Sequence, residues 1–427
     1  MNLAIENARL WTNGDKREIQ PNASIHVEDG IITYAGPRKE PEWVPDRTID
    51  AQNNLVLPSF FNSHSHVAMN ILRGYAEGLP LQEWLHEKIF PAEAKLTDEM
   101  AYWSSLAAMC EQVRAGITGF NDMYDHVDAI ARAAQQSGMR AVLARGIVSR
   151  FGSPEETEAK VREAEEAFQK WNGQGRILVF FSPHAQYTTD DEVVARIGEL
   201  ARHYQTGIHT HLSETREEHE QCLRETGMTP TAYFASMGLM DGPFIAAHGV
   251  HMTDDDMRVF ASKGACLAAC VRSNLKLGSG LPRLTEMRRQ GMVVALGTDG
   301  ASSNNRLSVA SEMDVASLLQ KGMTGDSAVF GPEEMLDMVS AAACSEIGIR
   351  SGRLESGWNA DMIIVDTGTI RFSPHWDDLS SLVYSAMDTS ITTTICGGDV
   401  LYEDGRVNFC DEEEVMRRLQ ESKRQLV

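Results

Sequence analysis

Leu55-Val56-Leu57-Pro58-Ser59-Phe60-Phe61-Asn62-Ser63-His64-Ser65-His66 is the stretch that decides how this chain folds. Its apolar part, 55–61, reads as one buried strand, and along a strand every second side chain shares a face. His64 and His66 therefore project the same way, as two ligands of one metal ion must. Neutral imidazole is the commonest protein ligand for zinc and its neighbours. A His-x-His pair alone is a weak signal, so its meaning depends on what stands at equivalent places along the chain.

Seven further apolar runs end in polar residues, at 117–120, 141–143, 177–181, 207–209, 244–247, 265–269 and 293–296. With 57–61 they make eight strands, separated by segments of helical pattern. Ser153-Pro154-Glu155-Glu156 has the form of a capping box with proline at the first helical position, and Thr189-Asp190-Asp191-Glu192 reads as another. Gly116 and Gly291 stand where C-terminal caps belong. Eight such units over about 290 residues predict a (β/α)8 barrel of the α/β class.

The ends of the chain read differently. Residues 23–27 and 31–35 flank the turn Glu28-Asp29-Gly30, 360–365 reads as a strand, and 397–407 as a hairpin turning at Glu403-Asp404-Gly405. The expected organisation is a small β-sandwich domain built from both termini (1–56 and 355–410), a barrel over 57–354, and a C-terminal helix over 411–427.

A barrel of this kind keeps its chemistry at the C-terminal ends of its strands. There the sequence places His64 and His66 (strand one), His209-Thr210-His211-Leu212-Ser213-Glu214-Thr215 (strand five), His248 (strand six) and Gly297-Thr298-Asp299-Gly300 (strand eight). A single buried histidine is usually a satisfied core residue, but imidazoles recurring at one rim with a carboxylate form a ligand set. Three imidazoles and a carboxylate suit one borderline divalent ion, zinc first, with iron or manganese as alternatives. Water bound to such an ion ionises near neutral pH, and Glu214, three residues past His211, can reach over the same place as a proton carrier.

Composition bounds the partners. The 427 residues carry 61 acidic against 39 basic side chains, a formal net charge of −22. Such a surface repels phosphate backbones and anionic lipid, so neither nucleic acid nor membrane is an expected partner. No run of about 18 apolar residues and no basic-then-apolar leader is visible, and seven scattered cysteines without a Cys-x-x-Cys pair fit a reducing cytoplasm. The expected partner is a small-molecule substrate, and the expected assembly a homo-oligomer. Cys266 and Cys270 read as buried thiols.

His64-Ser65-His66, His211-Leu212-Ser213-Glu214-Thr215, Ala247-His248 and Gly297-Thr298-Asp299-Gly300-Ala301-Ser302-Ser303-Asn304-Asn305 resemble the amidohydrolase superfamily. Leu72-Arg73-Gly74, Glu83-Trp84-Leu85, Ser273-Asn274-Leu275-Lys276-Leu277 and Glu355-Ser356-Gly357-Trp358-Asn359-Ala360-Asp361 extend the likeness over nearly the whole chain. Within the superfamily it is to the branch of S-adenosylhomocysteine/5′-methylthioadenosine deaminases, which also contains the triazine hydrolases.

The resemblance implies one divalent ion per chain held by His64, His66, His211 and Asp299, with Glu214 as proton shuttle. His248 would hydrogen-bond the attacked centre, and His209 would orient a ligand. It also implies that Glu93 grips ribose hydroxyls, while Arg145 and His184 reach the 5′ side and the substrate's polar atoms. The implied activity is hydrolytic deamination of an adenine nucleoside (5′-methylthioadenosine, S-adenosylhomocysteine, 5′-deoxyadenosine or adenosine) to the inosine product and ammonia. Attack on another amino- or chloro-substituted heterocycle, such as guanine, 8-oxoguanine or an s-triazine, is the alternative.

Two departures stand out. Strand seven carries Ala268-Ala269-Cys270-Val271 where relatives often have Ser-His-Asn-Pro, so polar contacts are expected to be missing there. The loop after Arg145 is short and offers only Arg150 as a second arginine.

Overall fold

Two hydrogen-bonded sheets organise the computed structural model, which describes residues 2–15, 18–345 and 347–426. The first has eight strands in sequential order, parallel in every neighbouring pair. They are β1 (Phe60–Ser65), β2 (Ile117–Met123), β3 (Arg140–Ile147), β4 (Ile177–Pro183), β5 (Ile208–Leu212), β6 (Phe244–His248), β7 (Cys266–Ala269) and β8 (Val293–Leu296). Nearly every residue in them is buried, because helices cover the outside and side chains fill the inside. Strands covered on both faces read as continuous apolar runs, which is why all eight could be seen in the sequence.

Alternate residues divide between two cores. Phe61, Val142, Ala144, Phe180, Ile245, Cys266, Ala268 and Ala295 form one cluster, while Phe60, Leu143, Phe181, Ala246, Leu267 and Leu296 belong to another that includes helix residues. The first set is the packed barrel interior, layered as this fold requires. His209 pairs with Ile245 and His211 with Ala247, so both histidines continue that inward column toward the rim.

The barrel closes through polar groups rather than a regular ladder. The Asp299 amide donates to the His64 carbonyl at 2.9 Å. The Asn62 side chain accepts from the Thr298 amide at 2.9 Å and donates to its hydroxyl at 2.7 Å. Gly297 permits the approach, since a Cβ there would lie 2.7 Å from the His64 nitrogen. The seam between β8 and β1 thus fixes His64 against Asp299.

The second sheet has nine strands. Leu3–Leu10, Gln20–Glu28, Ile31–Pro37, Arg47–Asp50 and Leu55–Pro58 come from the N-terminal side, and Met362–Val365, Ile391–Cys396, Asp399–Glu403 and Arg406–Val407 from the C-terminal side. The halves join where Val56 pairs antiparallel with Ile364, and a separate core of Leu3, Ile5, Leu10, Ile25, Val27, Met362 and Ile395 forms against them. The expected sandwich is therefore one continuous sheet with its own interior. Asp361, fully buried, receives two bonds from Arg140 of β3 at 2.6 and 3.1 Å and so ties this sheet to the barrel. The helix Glu412–Leu426 follows.

Two expectations are corrected. Residues 55–61 are two strands in different sheets, broken at Ser59, whose amide donates to the Asp361 carbonyl at 3.2 Å. Thr189 does not cap a helix: its hydroxyl donates to the Ile147 carbonyl at 2.9 Å, and Asp190 takes the cap position of Asp191–Tyr204 without a side-chain bond. The box at Ser153 and Glu156 is present, and Gly116 and Gly291 adopt the left-handed conformation that ends a helix. No helix among the described residues is long and apolar enough to cross a membrane.

Candidate metal centre and active site

Four imidazoles turn one edge inward, and in each the other nitrogen is engaged. Nδ1 of His66 donates to the Met123 carbonyl, Nδ1 of His211 to the His184 carbonyl at 3.0 Å, and Nδ1 of His248 to Asn274 Oδ1 at 2.9 Å. Nδ1 of His64 shares a proton with His209 Nε2 at 2.9 Å. A proton fixed on Nδ1 leaves the Nε2 lone pair free to bind an ion, so these partners set the tautomer as well as the ring orientation. His66 follows β1 and caps the short helix Val67–Leu72, and a shift in pairing between Asn62 and Ser65 accompanies its turn inward.

The inward atoms converge. His66 Nε2 lies 3.2 Å from Asp299 Oδ1 and 3.4 Å from His211 Nε2, and His64 Nε2 lies 3.5 Å from the same carboxylate oxygen. Ligand atoms of His64, His211 and His248 fall within 4.8 Å of one another, as do those of His64, His66 and Asp299. Four ligands at about 2.0–2.2 Å from one tetrahedral ion stand roughly 3.3–3.6 Å apart, which these separations match. His64 Nε2 is also buried without a hydrogen-bond partner, a cost that a bound cation removes. The donor set fits a divalent ion.

Asp299 divides its two oxygens. Oδ2 accepts from Ser273 Oγ at 2.6 Å and Ser303 Oγ at 2.8 Å, so Oδ1 is left for the imidazoles. Burial alone would raise its pKa, but His64 and His66 override it and hold the carboxyl well below its ordinary range.

Glu214 sits two residues past the end of β5, with Oε1 accepting from Ser279 Oγ at 3.2 Å and Oε2 at 3.8 Å from His248 Nε2. Burial pushes its pKa up, with His248 opposing. That is the direction a carboxyl needs in order to carry a proton near neutral pH.

A cavity of about 450 Å³ opens over this cluster. Glu214, His248 and Asp299 line it together with Glu93, Arg145 and His184. Tyr124 donates to Glu93 Oε1 at 2.6 Å, and burial lifts the Glu93 carboxyl to about 7. His184 is held down to about 3 by burial, so it is neutral, with Nδ1 against Thr188 Oγ1 at 3.1 Å. The Arg145 guanidinium is already engaged by Asp125, by Glu163 at 3.1 Å and by the Gly146 carbonyl at 2.7 Å. Arg150 is paired with Glu225 at 2.8 Å and does not line the cavity.

The structure therefore gathers His64, His66, His211, His248, Asp299 and Glu214 at one point and sets Glu93, Arg145 and His184 in the cavity wall. Sequence reasoning gave no role to Ser273, Asn274, Ser279 or Ser303, which position Asp299, His248 and Glu214. The run Ser273-Asn274 was visible only as part of the family resemblance. It lies in the helix Val271–Lys276, which opens just after the apolar end of β7.

An amidohydrolase family model matches residues 55–401. A relative from Syntrophomonas wolfei, named 5-methylthioadenosine/S-adenosylhomocysteine deaminase, is 39% identical over 100% of both chains. Among solved structures, an adenosine deaminase from Xanthomonas campestris with bound zinc superposes with a TM-score of 0.94 at 27% identity, covering 99% of this chain and 98% of that one. The atrazine chlorohydrolase of Arthrobacter aurescens TC1 shares the fold, with a TM-score of 0.92 at 20% identity over 99% of this chain and 100% of that one.

Proposed function

The chain belongs to the amidohydrolase family and is a hydrolase acting on C–N bonds of cyclic amidines; from that premise we propose that it deaminates adenine nucleosides, 5′-methylthioadenosine, S-adenosylhomocysteine, 5′-deoxyadenosine or adenosine, to the inosine product and ammonia. The observation that carries this reading is one cavity with Glu214 at the ligand cluster and the Tyr124-supported Glu93 carboxylate in its wall. A carboxylate that can accept two vicinal hydroxyls suits a ribose, and a free base has none to offer. The names of the relatives point the same way.

His64, His66, His211 and Asp299 would hold one divalent ion, zinc first, with iron or manganese as alternatives. When bound, it supplies Lewis acidity and a water acidified toward neutral pH. The chain's own groups then manage the protons. Glu214 takes one proton from the attacking water and delivers it to the purine ring nitrogen next to C6. His248, held by Asn274, hydrogen-bonds the oxygen that arrives at C6. Asp299, with Oδ2 occupied by two serines, takes the second proton through Oδ1 and passes it to the C6 amino group, so that the C6–N bond breaks and ammonia leaves. Glu93 binds the ribose, while His184 and Arg145 bound the rest of the cavity. The seven cysteines, none of them in a disulfide, fit a cytoplasmic setting.

The test is ammonia release from a panel of the four nucleosides against guanine, 8-oxoguanine and an s-triazine. Turnover of a nucleoside with the highest kcat/KM is the expected result. A free base or triazine outperforming every nucleoside would overturn the reading.

A further inference from the structure

We propose that Glu218 is a positioning residue for Glu214, fixing the turn that aims the proton carrier; this rests on the reading of Glu214 given above. Thr215 caps the helix Arg216–Thr226 by accepting from the Glu218 amide at 3.1 Å. In Thr-x-x-Glu the acid ordinarily returns to the amide of the capping residue itself. Elsewhere in this chain it does so: Glu156 accepts from the Ser153 amide and Asp256 from the Thr253 amide, each at 2.8 Å. Glu218 instead reaches past Thr215. Its Oε1 accepts from the Ser213 amide at 2.8 Å and its Oε2 from the Glu214 amide at 2.7 Å.

The two amides it holds belong to the peptides that place Glu214. Ser213 has φ of +48°, a conformation uncommon for a residue with a Cβ and costly unless its surroundings impose it. Its carbonyl is pinned by the His251 amide at 2.9 Å, so Glu218 and His251 hold the residue from its two ends. Glu218 itself is 3% exposed. Burying a second carboxylate beside Glu214 is unfavourable on charge grounds, and a capping role would be served equally well by bonding Thr215 at the surface. The contacts it makes in that costly place are those that orient Glu214, whose far end Ser279 then steadies.

A double-mutant cycle separates positioning from mere helix capping. Glu218→Gln keeps the size but turns one acceptor into a donor facing an amide. We expect kcat to fall about 10–100-fold, since misplacing a catalytic group by about 1 Å can cost 10²-fold. KM should stay within about threefold, and metal content, by elemental analysis, at the wild-type level. In a Glu214→Gln background the same change should alter residual kcat less than about threefold, because the group being aimed no longer carries protons. An equal loss in both backgrounds, no loss in either, or loss of metal along with activity would overturn the proposal. Near-normal kcat in Glu214→Gln alone would instead refute the role of Glu214 and leave Glu218 nothing to position. Should Glu218→Gln not fold, Glu218→Asp, which keeps the charge and withdraws it by one methylene, is read by the same cycle.

Discussion

Glu93 offers the sharpest test of a nucleoside substrate, because its environment ties affinity to pH. Tyr124 donates to Oε1, leaving Oε2 and the remaining lone pairs for a ligand. Burial lifts the carboxyl to about 7, nearby Asp125 adds to this, and the Tyr124 bond offsets part of it. Only the ionised form accepts from both ribose hydroxyls, so substrate binding favours ionisation and lowers the pKa in the complex. Below pH 7 the free enzyme is increasingly protonated at this residue. At pH 6 about a tenth remains ionised against about a half at pH 7, so KM for a nucleoside should rise about fivefold over that unit. Above about pH 8 this dependence vanishes.

Glu93→Gln removes the charge and presents an amide donor to hydroxyls that need an acceptor. Leaving them unpaired in a closed site costs about 1–3 kcal/mol, a 5–150-fold loss of kcat/KM at pH 8. Because the variant cannot ionise there, the wild-type-to-variant ratio should shrink by up to about fivefold between pH 7 and pH 6, as the ionised fraction falls from about a half to about a tenth. Taking the ratio cancels titrations at Glu214 and elsewhere that both proteins share. Ammonia release over pH 5.5–8.5 with the best nucleoside measures it. A ratio that does not change with pH, or a variant within twofold of wild type at pH 8, would refute the reasoning.

Three further outcomes follow from the same geometry. His66→Ala and Asp299→Ala should each lose both bound metal and activity, and full metal occupancy in both by elemental analysis would refute the ligand set. Glu214→Gln should keep its metal yet lose at least about 10²-fold in kcat, as expected for a group that moves protons. At the 5′ end, Arg145 is held by two carboxylates and Arg150 is turned to Glu225. 5′-Methylthioadenosine, 5′-deoxyadenosine or adenosine should therefore match or exceed S-adenosylhomocysteine in kcat/KM. A tenfold preference for S-adenosylhomocysteine, about 1.4 kcal/mol, would refute this and implicate Lys160, the other cation in the cavity wall.

The barrel was legible because its strands are buried on both faces and so appear as apolar runs, with the polar residues that end them marking the rim. The split of 55–61 was not, because Leu57 and Phe60 are equally apolar. What separates them is long-range: Ser59 bonds Asp361, and Phe60 bonds the Gly116 carbonyl at 2.9 Å. Thr189 misled for a related reason. Its pattern fits a capping box, but the Ile147 carbonyl, 42 residues earlier, takes the hydroxyl first. The histidines and Asp299 at the rim were readable from strand position, whereas Ser273, Asn274 and Ser279 approach Asp299, His248 and Glu214 from 26 to 65 residues away and leave no local pattern.

The segment that follows the apolar end of β7 concentrates much of this support. Val271 opens a helix directly after Ala268-Ala269-Cys270, and within one turn Ser273 reaches Asp299 and Asn274 reaches His248. Past the helix, Ser279 reaches Glu214. One segment of seven residues thus holds groups that stand at the ends of β5, β6 and β8. Two of those groups, His248 and Asp299, have positive φ (+77° and +60°), a strained state for residues other than glycine that persists only when the surroundings over-determine it. The hydrogen bonds from 273–279 are part of that determination. These contacts couple Glu214, His248 and Asp299 through a single piece of backbone. A displacement of that segment would disturb all three at once.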